Sequence, residues 1–200
     1  MNNNTSKSER TKQFIIENTA VIFNEKGYAG TSLSDLTNAT KLTKGSIYGN
    51  FANKDEVALA VFDYNFNRVI LYLRERILKK ENSIDRLLVY PTVYRDFLKI
   101  PFFKAGCPIL NTSTEADDTH PQLKEKASKA LTFWKESIEN QIQRGIERKE
   151  IKADTNSAEF ALVLMSIIEG SIMIAKATSN SNDLKSTMNF LEKLILELKS

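Results

Sequence analysis

Cysteine and histidine are nearly absent from this 200-residue chain, which holds one of each, Cys107 and His120. One cysteine excludes an intrachain disulfide framework, and the pair supplies too few soft ligands for a tetrahedral zinc centre. No metal and no cofactor are therefore expected, and a reducing, cytoplasmic setting suits the chain. Glycine (7) and proline (4) are scarce as well, which rules out collagen-like repeats and low-complexity disorder. Charge of one sign is not in excess: 28 Lys and Arg against 25 acids leave +3, a balance that neither demands nor forbids a polyanionic partner. The first ten residues lack an apolar core, so no secretory signal is expected. The longest apolar stretch, 160–177, carries Glu169 and Lys176, and its uninterrupted part is shorter than a bilayer requires. No membrane span is expected. Enzyme signatures are missing too, with no G-x-G-x-x-G, P-loop or H-E-x-x-H.

What is present is rich in Ile, Leu, Lys, Glu and Ala, 42% hydrophobic and 26% charged. A chain of this length can bury about 70% of its unfolded surface and needs no staple. After a polar arm of about ten residues, Ile15, Ile16, Thr19, Ile22 and Phe23 recur at helical spacing until Gly27 stops the helix. Thr31 or Ser32 caps a short second helix, and Thr43 caps a third that ends near Phe51. Asn53 caps a long fourth helix, running to about Lys80, with Asp55 and Glu56 in the first turn, where the helix dipole favours acids. Further helices are predicted over 83–99, 123–149, 155–179 and 184–198. Gly106, Pro108 and Pro121 break 101–121 into short helices and loops. The expected class is all-α, with about nine helices and no repeat.

Two short helices joined by a tight turn and buttressed by a longer one form a helix-turn-helix, whose second member enters the major groove of DNA. Ile47 and Phe51, four apart, face a core and leave Lys44, Gly45, Ser46, Tyr48 and Asn50 to the other faces. Residues 36–54 hold Lys41, Lys44 and Lys54 and no acid, and this local sign matters to a polyanion more than the global +3. On composition alone, a helical hairpin with no special partner stands beside this reading.

The run Gly27-Tyr28-Ala29-Gly30-Thr31-Ser32-Leu33-Ser34-Asp35-Leu36 is followed by Thr43-Lys44-Gly45-Ser46-Ile47-Tyr48-Gly49-Asn50-Phe51-Ala52-Asn53-Lys54-Asp55-Glu56. Together they resemble the N-terminal domain of the TetR family of bacterial transcriptional regulators. The resemblance implies a three-helix DNA-binding domain over 9–56 and a larger helical effector-binding and dimerisation domain over 57–200. It implies that Thr31, Ser32, Thr43, Tyr48 and Lys54 hold phosphates of a double-stranded operator, while Lys44, Gly45, Ser46 and Asn50 face base edges. The family usually has Gly at the inter-helix turn where this chain has Lys41. The turn is then either strained, at about 1–2 kcal/mol, or differently shaped.

Family members pair through their last two helices. Here 157–178 and the four-three-spaced seam of 184–198 carry more apolar surface than one partner helix covers, which fits a homodimer. The other reading is that both helices close the monomer's own core. A ligand pocket for a small hydrophobic or electrophilic effector is implied, with Tyr94, Phe97, Cys107, Asn111, Trp134, Met165, Glu169 and Met173 as candidate lining. Gly106-Cys107-Pro108-Ile109-Leu110-Asn111, followed by Glu115 and Phe133-Trp134, resembles the branch of the family with a G-C-P or G-C-L motif, some of which sense electrophiles or oxidants. Cys107 is then either a sensor, its thiolate stabilised by a cation such as Lys176, or a buried thiol acting as a small hydrophobe. Two rivals have no need of DNA. One is a Cys107/His120 nucleophile–base enzyme, against which His120 sits in an acidic loop suited to a solvated histidine. The other is a helical protein-interaction module.

Overall fold

A computed structural model of the chain describes residues 6–200. Among them are nine α-helices: α1 (Lys7–Gly30), α2 (Leu33–Thr40), α3 (Lys44–Tyr48), α4 (Lys54–Ile77), α5 (Ser83–Tyr94), α6 (Pro108–Ala116), α7 (Pro121–Glu147), α8 (Ser157–Thr178) and α9 (Ser181–Leu196). The all-α expectation holds; the β pairing among the described residues is a single bridge, Ile151 to Lys199. Packing divides the chain into two compact units. One joins the residues up to Arg68 with 108–127, and the other joins 69–107 with 128–200. Helix α6 and the first turns of α7 thus belong with α1–α3, although they lie far along the chain from any boundary near residue 56.

Local chemistry sets the helix starts. Of the expected ten-residue polar arm, residues 1–5 lie outside the described residues. The rest is already structured, because Ser6 and Glu9 form a reciprocal capping box that starts α1 at Lys7. Ser32 and Asp35 repeat that device at α2. The Thr43 hydroxyl accepts the Ser46 N–H at α3, and Asn53 accepts the Glu56 N–H at α4. Helix α3 is shorter than expected: Gly49 and Asn50 turn out of it, which lets Phe51 reach the core.

Two backbone positions shape the first unit. Lys41 closes α2 in the left-handed region (φ 58°, ψ 18°), its N–H donating to the Thr37 carbonyl at 2.8 Å. The turn therefore keeps the shape that glycine favours and carries the strain. Gly27 breaks α1 at φ 71°, ψ −177°, a conformation essentially restricted to glycine. The break turns the N–H groups of Tyr28 and Ala29 toward the Glu115 carboxylate of α6, each at 2.8 Å. Asn111 of α6 donates to the Asn24 carbonyl and side-chain oxygen at 3.0 Å, so α6 is fastened to α1 at two points. Ile15, Phe23, Leu36, Ile47, Phe51, Val57 and Phe62 fill the interior beside these bonds.

In the second unit α9 packs on both α8 and α5. Helix α5 stops at Tyr94 rather than near Lys99. Ile100 precedes Pro101, which disfavours helix there. The chain winds instead through two 3-10 turns (Phe97–Lys99 and Pro101–Phe103) that bring the Phe97 and Phe103 rings to 4.2 Å. Helix α8, at 22 residues, is long and apolar enough by length and composition to cross a membrane, contrary to the expected shortfall. One face of it, including Leu164, Ile168 and Ile172, is buried in the fold.

A methyl group at residue 27 would overlap the Glu115 carboxylate as well as force a strained φ. Gly27→Ala is expected to lower unfolding free energy by about 1–3 kcal/mol, read by urea denaturation. An unchanged midpoint would show that the junction relaxes without cost.

Candidate functional site

The acid-free window folds as α2, the Lys41 turn and α3, and burial sorts its residues. Ile47 is fully buried and Phe51 nearly so, while Thr43, Lys44 and Gly45 are exposed and Ser46, Tyr48 and Asn50 half-buried. Lys41 and Lys44 make no ion pair among the described residues. The result is a small, positively charged, closely approachable surface, of the kind that meets a phosphate backbone and base edges.

Several expected contact residues are committed to the head itself. Thr31 is fully buried and its hydroxyl donates to the Gly27 carbonyl at 2.6 Å, so its place is in the α1–α2 junction rather than on a phosphate. Lys54 donates to the carbonyls of Tyr28 (2.9 Å) and Thr31 (3.1 Å) and lies 4.1 Å over the Tyr28 ring, which makes it a tie across the same junction. Asn50 donates to the Ser46 carbonyl at 2.9 Å and accepts from the Ser8 hydroxyl at 3.0 Å, so α1 fixes its amide. Ser32 is exposed, its hydroxyl engaged with Asp35, whose carboxyl the Lys26 ammonium holds well below the usual range.

Sequence reasoning missed Ser8, Tyr28, Glu115 and the true place of His120. The Tyr28 hydroxyl donates to Asp55, and that bond, with burial, pushes the phenol up to about 12. His120 is not the solvated histidine expected. Its side chain is 11% exposed, its ring sits edge-on to Tyr28 at 4.6 Å, and its Nδ1 accepts the Leu123 N–H at the start of α7. Pro121 as the first helical residue explains why the preceding side chain caps here.

In the second unit the proposed sensor chemistry meets an unfavourable setting. Cys107 is fully buried and its thiol donates to Glu169 Oε1 at 3.0 Å. Burial raises the Glu169 carboxyl to about 7, the Cys107 bond opposing it. A thiolate there would face the Glu169 carboxyl group. Lys176 is spent on the Ala105 carbonyl, its stem lying over Gly106, where φ is 100°. Cys107 is thus a buried thiol that solvent does not reach. Tyr94 and Phe97 are core, stacked at 4.7 Å, with Trp134 6.1 Å from Tyr94. Met165 is buried, Met173 is 53% exposed on another face of α8, and Asn111 bonds to Asn24 in the first unit.

The seam on α9 also resolves differently from expectation. Leu184, Met188, Leu191 and Ile195 are all buried within the single chain, because α9 packs on α5 and α8. The large apolar side chains left exposed on these helices are Leu162, Val163, Met173, Ile174, Phe190 and Leu196. Gly170 has open space before it.

Residues 15–61 match the family model described as bacterial regulatory proteins, tetR family, and residues 83–191 match the tetracyclin repressor-like C-terminal domain. The crystal structure of a TetR family transcriptional regulator from Cytophaga hutchinsonii is 46% identical, covers 98% of both chains and superposes with a TM-score of 0.94. An HTH-type transcriptional regulator in the lacX 3' region of Lactococcus lactis subsp. lactis is 26% identical over 91% of each chain. The biofilm operon icaADBC HTH-type negative transcriptional regulator IcaR of Staphylococcus epidermidis is 37% identical over 62 residues, 31% of this chain.

The raised Glu169 carboxyl has a consequence for stability. Unfolded, it releases its proton near 4.5; folded, it keeps the proton to about 7. Its contribution is complete below about pH 4.5 and is lost as pH rises through 7. Urea titrations from pH 5 to pH 8 should therefore show a fall in stability that Glu169→Gln flattens. Identical pH profiles for the two proteins would contradict it.

Proposed function

Since the chain belongs to the TetR family of helix-turn-helix transcriptional regulators, we propose that it is a cytoplasmic repressor. In this reading it binds a roughly palindromic operator as a homodimer and is released by a small-molecule effector. The observation that carries the reading is the outward set of the head: the fully buried Ile47 pins a five-residue helix whose exposed side holds Lys44 and Gly45, within a window free of acids. We assign DNA contact to residues 9–56 and effector binding and dimerisation to 57–200. Thr43, Tyr48 and Ser32 meet phosphates, and Lys44, Gly45 and Ser46 meet base edges. Thr31, Lys54 and Asn50 hold the geometry from behind.

The exposed apolar residues of α8 and α9, with room at Gly170, support a two-fold helical interface. Such a dimer presents two recognition helices about 34 Å apart, one helical turn of DNA. The likeness to IcaR, a negative regulator by name, supports repression. Release requires an effector that binds a mismatched conformer more tightly than the DNA-competent one; tight binding alone shifts nothing. Helices α4 and α7 each contribute to both compact units, and α6 grips α1 through Glu115, so these three are the elements through which such a shift would pass.

Selection of duplexes from a random pool tests the DNA reading. Affinity for the selected site should fall steeply between about 50 and 200 mM salt. Tyr48→Phe should weaken all duplexes alike by about threefold to tenfold, whereas Ser46→Ala should change base preference. No duplex bound at low salt would sink the reading. For the dimer, Ile174→Glu and Phe190→Glu should each shift the protein to monomer in sedimentation and cost operator affinity; a wild type already monomeric at micromolar concentration would refute it.

A further inference from the structure

The backbone of α3 does not complete its own end. The Gly49 N–H donates to the Gly45 carbonyl, and the N–H groups of Asn50 and Phe51 both donate to the Ile47 carbonyl. The Ser46 carbonyl receives the Asn50 side chain instead, with Nδ2 at 2.9 Å. A helix of five residues is little more than one turn, so each terminal carbonyl that finds a partner is a large share of its bonding. Asn50 thus caps the recognition helix at a residue assigned above to base edges.

A carbonyl only accepts, so the nitrogen of the Asn50 amide is the end that faces Ser46. The amide oxygen is then turned to the start of α1, where the Ser8 hydroxyl donates to it at 3.0 Å. The oxygen has no hydrogen to offer, which makes Ser8 the donor of this bond. Ser8 is the second residue of α1, and the capping box of Ser6 and Glu9 fixes the turn that carries it. The chain around Asn50 is secured separately. Phe51 is buried, Lys12 lies 5.4 Å over its ring and 3.8 Å from Glu56, and Glu56 accepts the Ala52 N–H at 2.6 Å. What Ser8 adds is the orientation of one amide, not the path of the backbone.

Resting on the DNA reading above, we infer that Ser8 is a positioning residue for base recognition. Its hydroxyl holds the Asn50 amide with the nitrogen toward Ser46, and Asn50 in turn holds the Ser46 peptide, so that the Ser46 side chain meets base edges in one register. Without that hydroxyl the amide turns to water, the Ser46 carbonyl loses its partner for part of the time, and the end of α3 frays. Fraying spreads the base-reading groups over several positions but removes no charge. The loss therefore falls on discrimination between duplexes, not on the electrostatic attraction common to all of them.

Variants of the full-length protein test this, each measured against the selected duplex and an unrelated one at several salt concentrations. Ser8→Ala keeps the charge and suits a helix, so its urea midpoint and salt slope should match those of the wild type. Its affinity for the selected duplex should fall by about threefold to tenfold, the worth of one net hydrogen bond, with the unrelated duplex unaffected. Ser8→Thr keeps the donor and should restore discrimination. In an Asn50→Ala background Ser8→Ala should cost nothing further, because no amide is left to hold. An equal loss on both duplexes would mark a direct phosphate contact and overturn the inference. Unchanged discrimination, no rescue by threonine, a loss that persists beside Asn50→Ala, or a lowered urea midpoint would overturn it too. In each of those cases a wild type that tells the two duplexes apart keeps the regulator reading. A wild type that binds neither duplex overturns that reading and this role together.

Discussion

The first unit depends on a carboxylate that accepts two backbone N–H groups. Glu115, at the end of α6, takes the N–H groups of Tyr28 and Ala29, which are turned toward it by the left-handed Gly27. The break sits immediately before the segment that starts α2, so it sets the direction in which α2 and α3 leave α1. Thr31 and Lys54 then secure the same few carbonyls from the other side, and Tyr28 ties the junction to Asp55 and the His120 ring. A residue 86 positions away thus determines how the recognition helix is presented. A substitution at Glu115 would be felt at the DNA face without touching it.

Polar groups in this molecule fall into two sets with different consequences. Those of the head are paired internally with short, well-directed bonds, which leaves few side chains free to face a partner; Lys41, Lys44 and the Tyr48 hydroxyl are the conspicuous ones. Those of the second unit are buried among rings and aliphatics and are paired more weakly. Glu169 Oε1 accepts the Cys107 thiol hydrogen, and the Gln141 amide reaches the Tyr90 hydroxyl only at 3.5 Å. Internal pairing of the kind seen in the head suits a rigid DNA-reading surface.

Burial also explains where functional expectation and structure part. A thiol next to Pro in a G-C-P block suggests reactivity until its surroundings are known. Here the thiol donates to a carboxyl group and solvent does not reach the sulfur, so the same residue acts as a weak donor in a core. Likewise the four-three spacing on α9 reads as an interface seam, but α5 and α8 already cover it. The large apolar side chains that α8 and α9 leave exposed include Leu162, Ile174 and Phe190, which that spacing did not single out.

Capping residues, helical spacing and glycine positions act over a few residues, and they made the helix starts, the all-α class and the α2–turn–α3 element readable in the chain itself. Ser32, Thr43 and Asn53 cap where their side chains and neighbours dictate, and Ile47 and Phe51 point inward because they are four apart. Contacts between distant segments leave no local mark. Nothing near Glu115 announces that it holds residues 28 and 29, nothing near His120 announces the Tyr28 ring, and nothing near Cys107 announces the Glu169 carboxyl. Those were decided when helices remote in the chain met and when desolvation assigned each polar group either a partner or none.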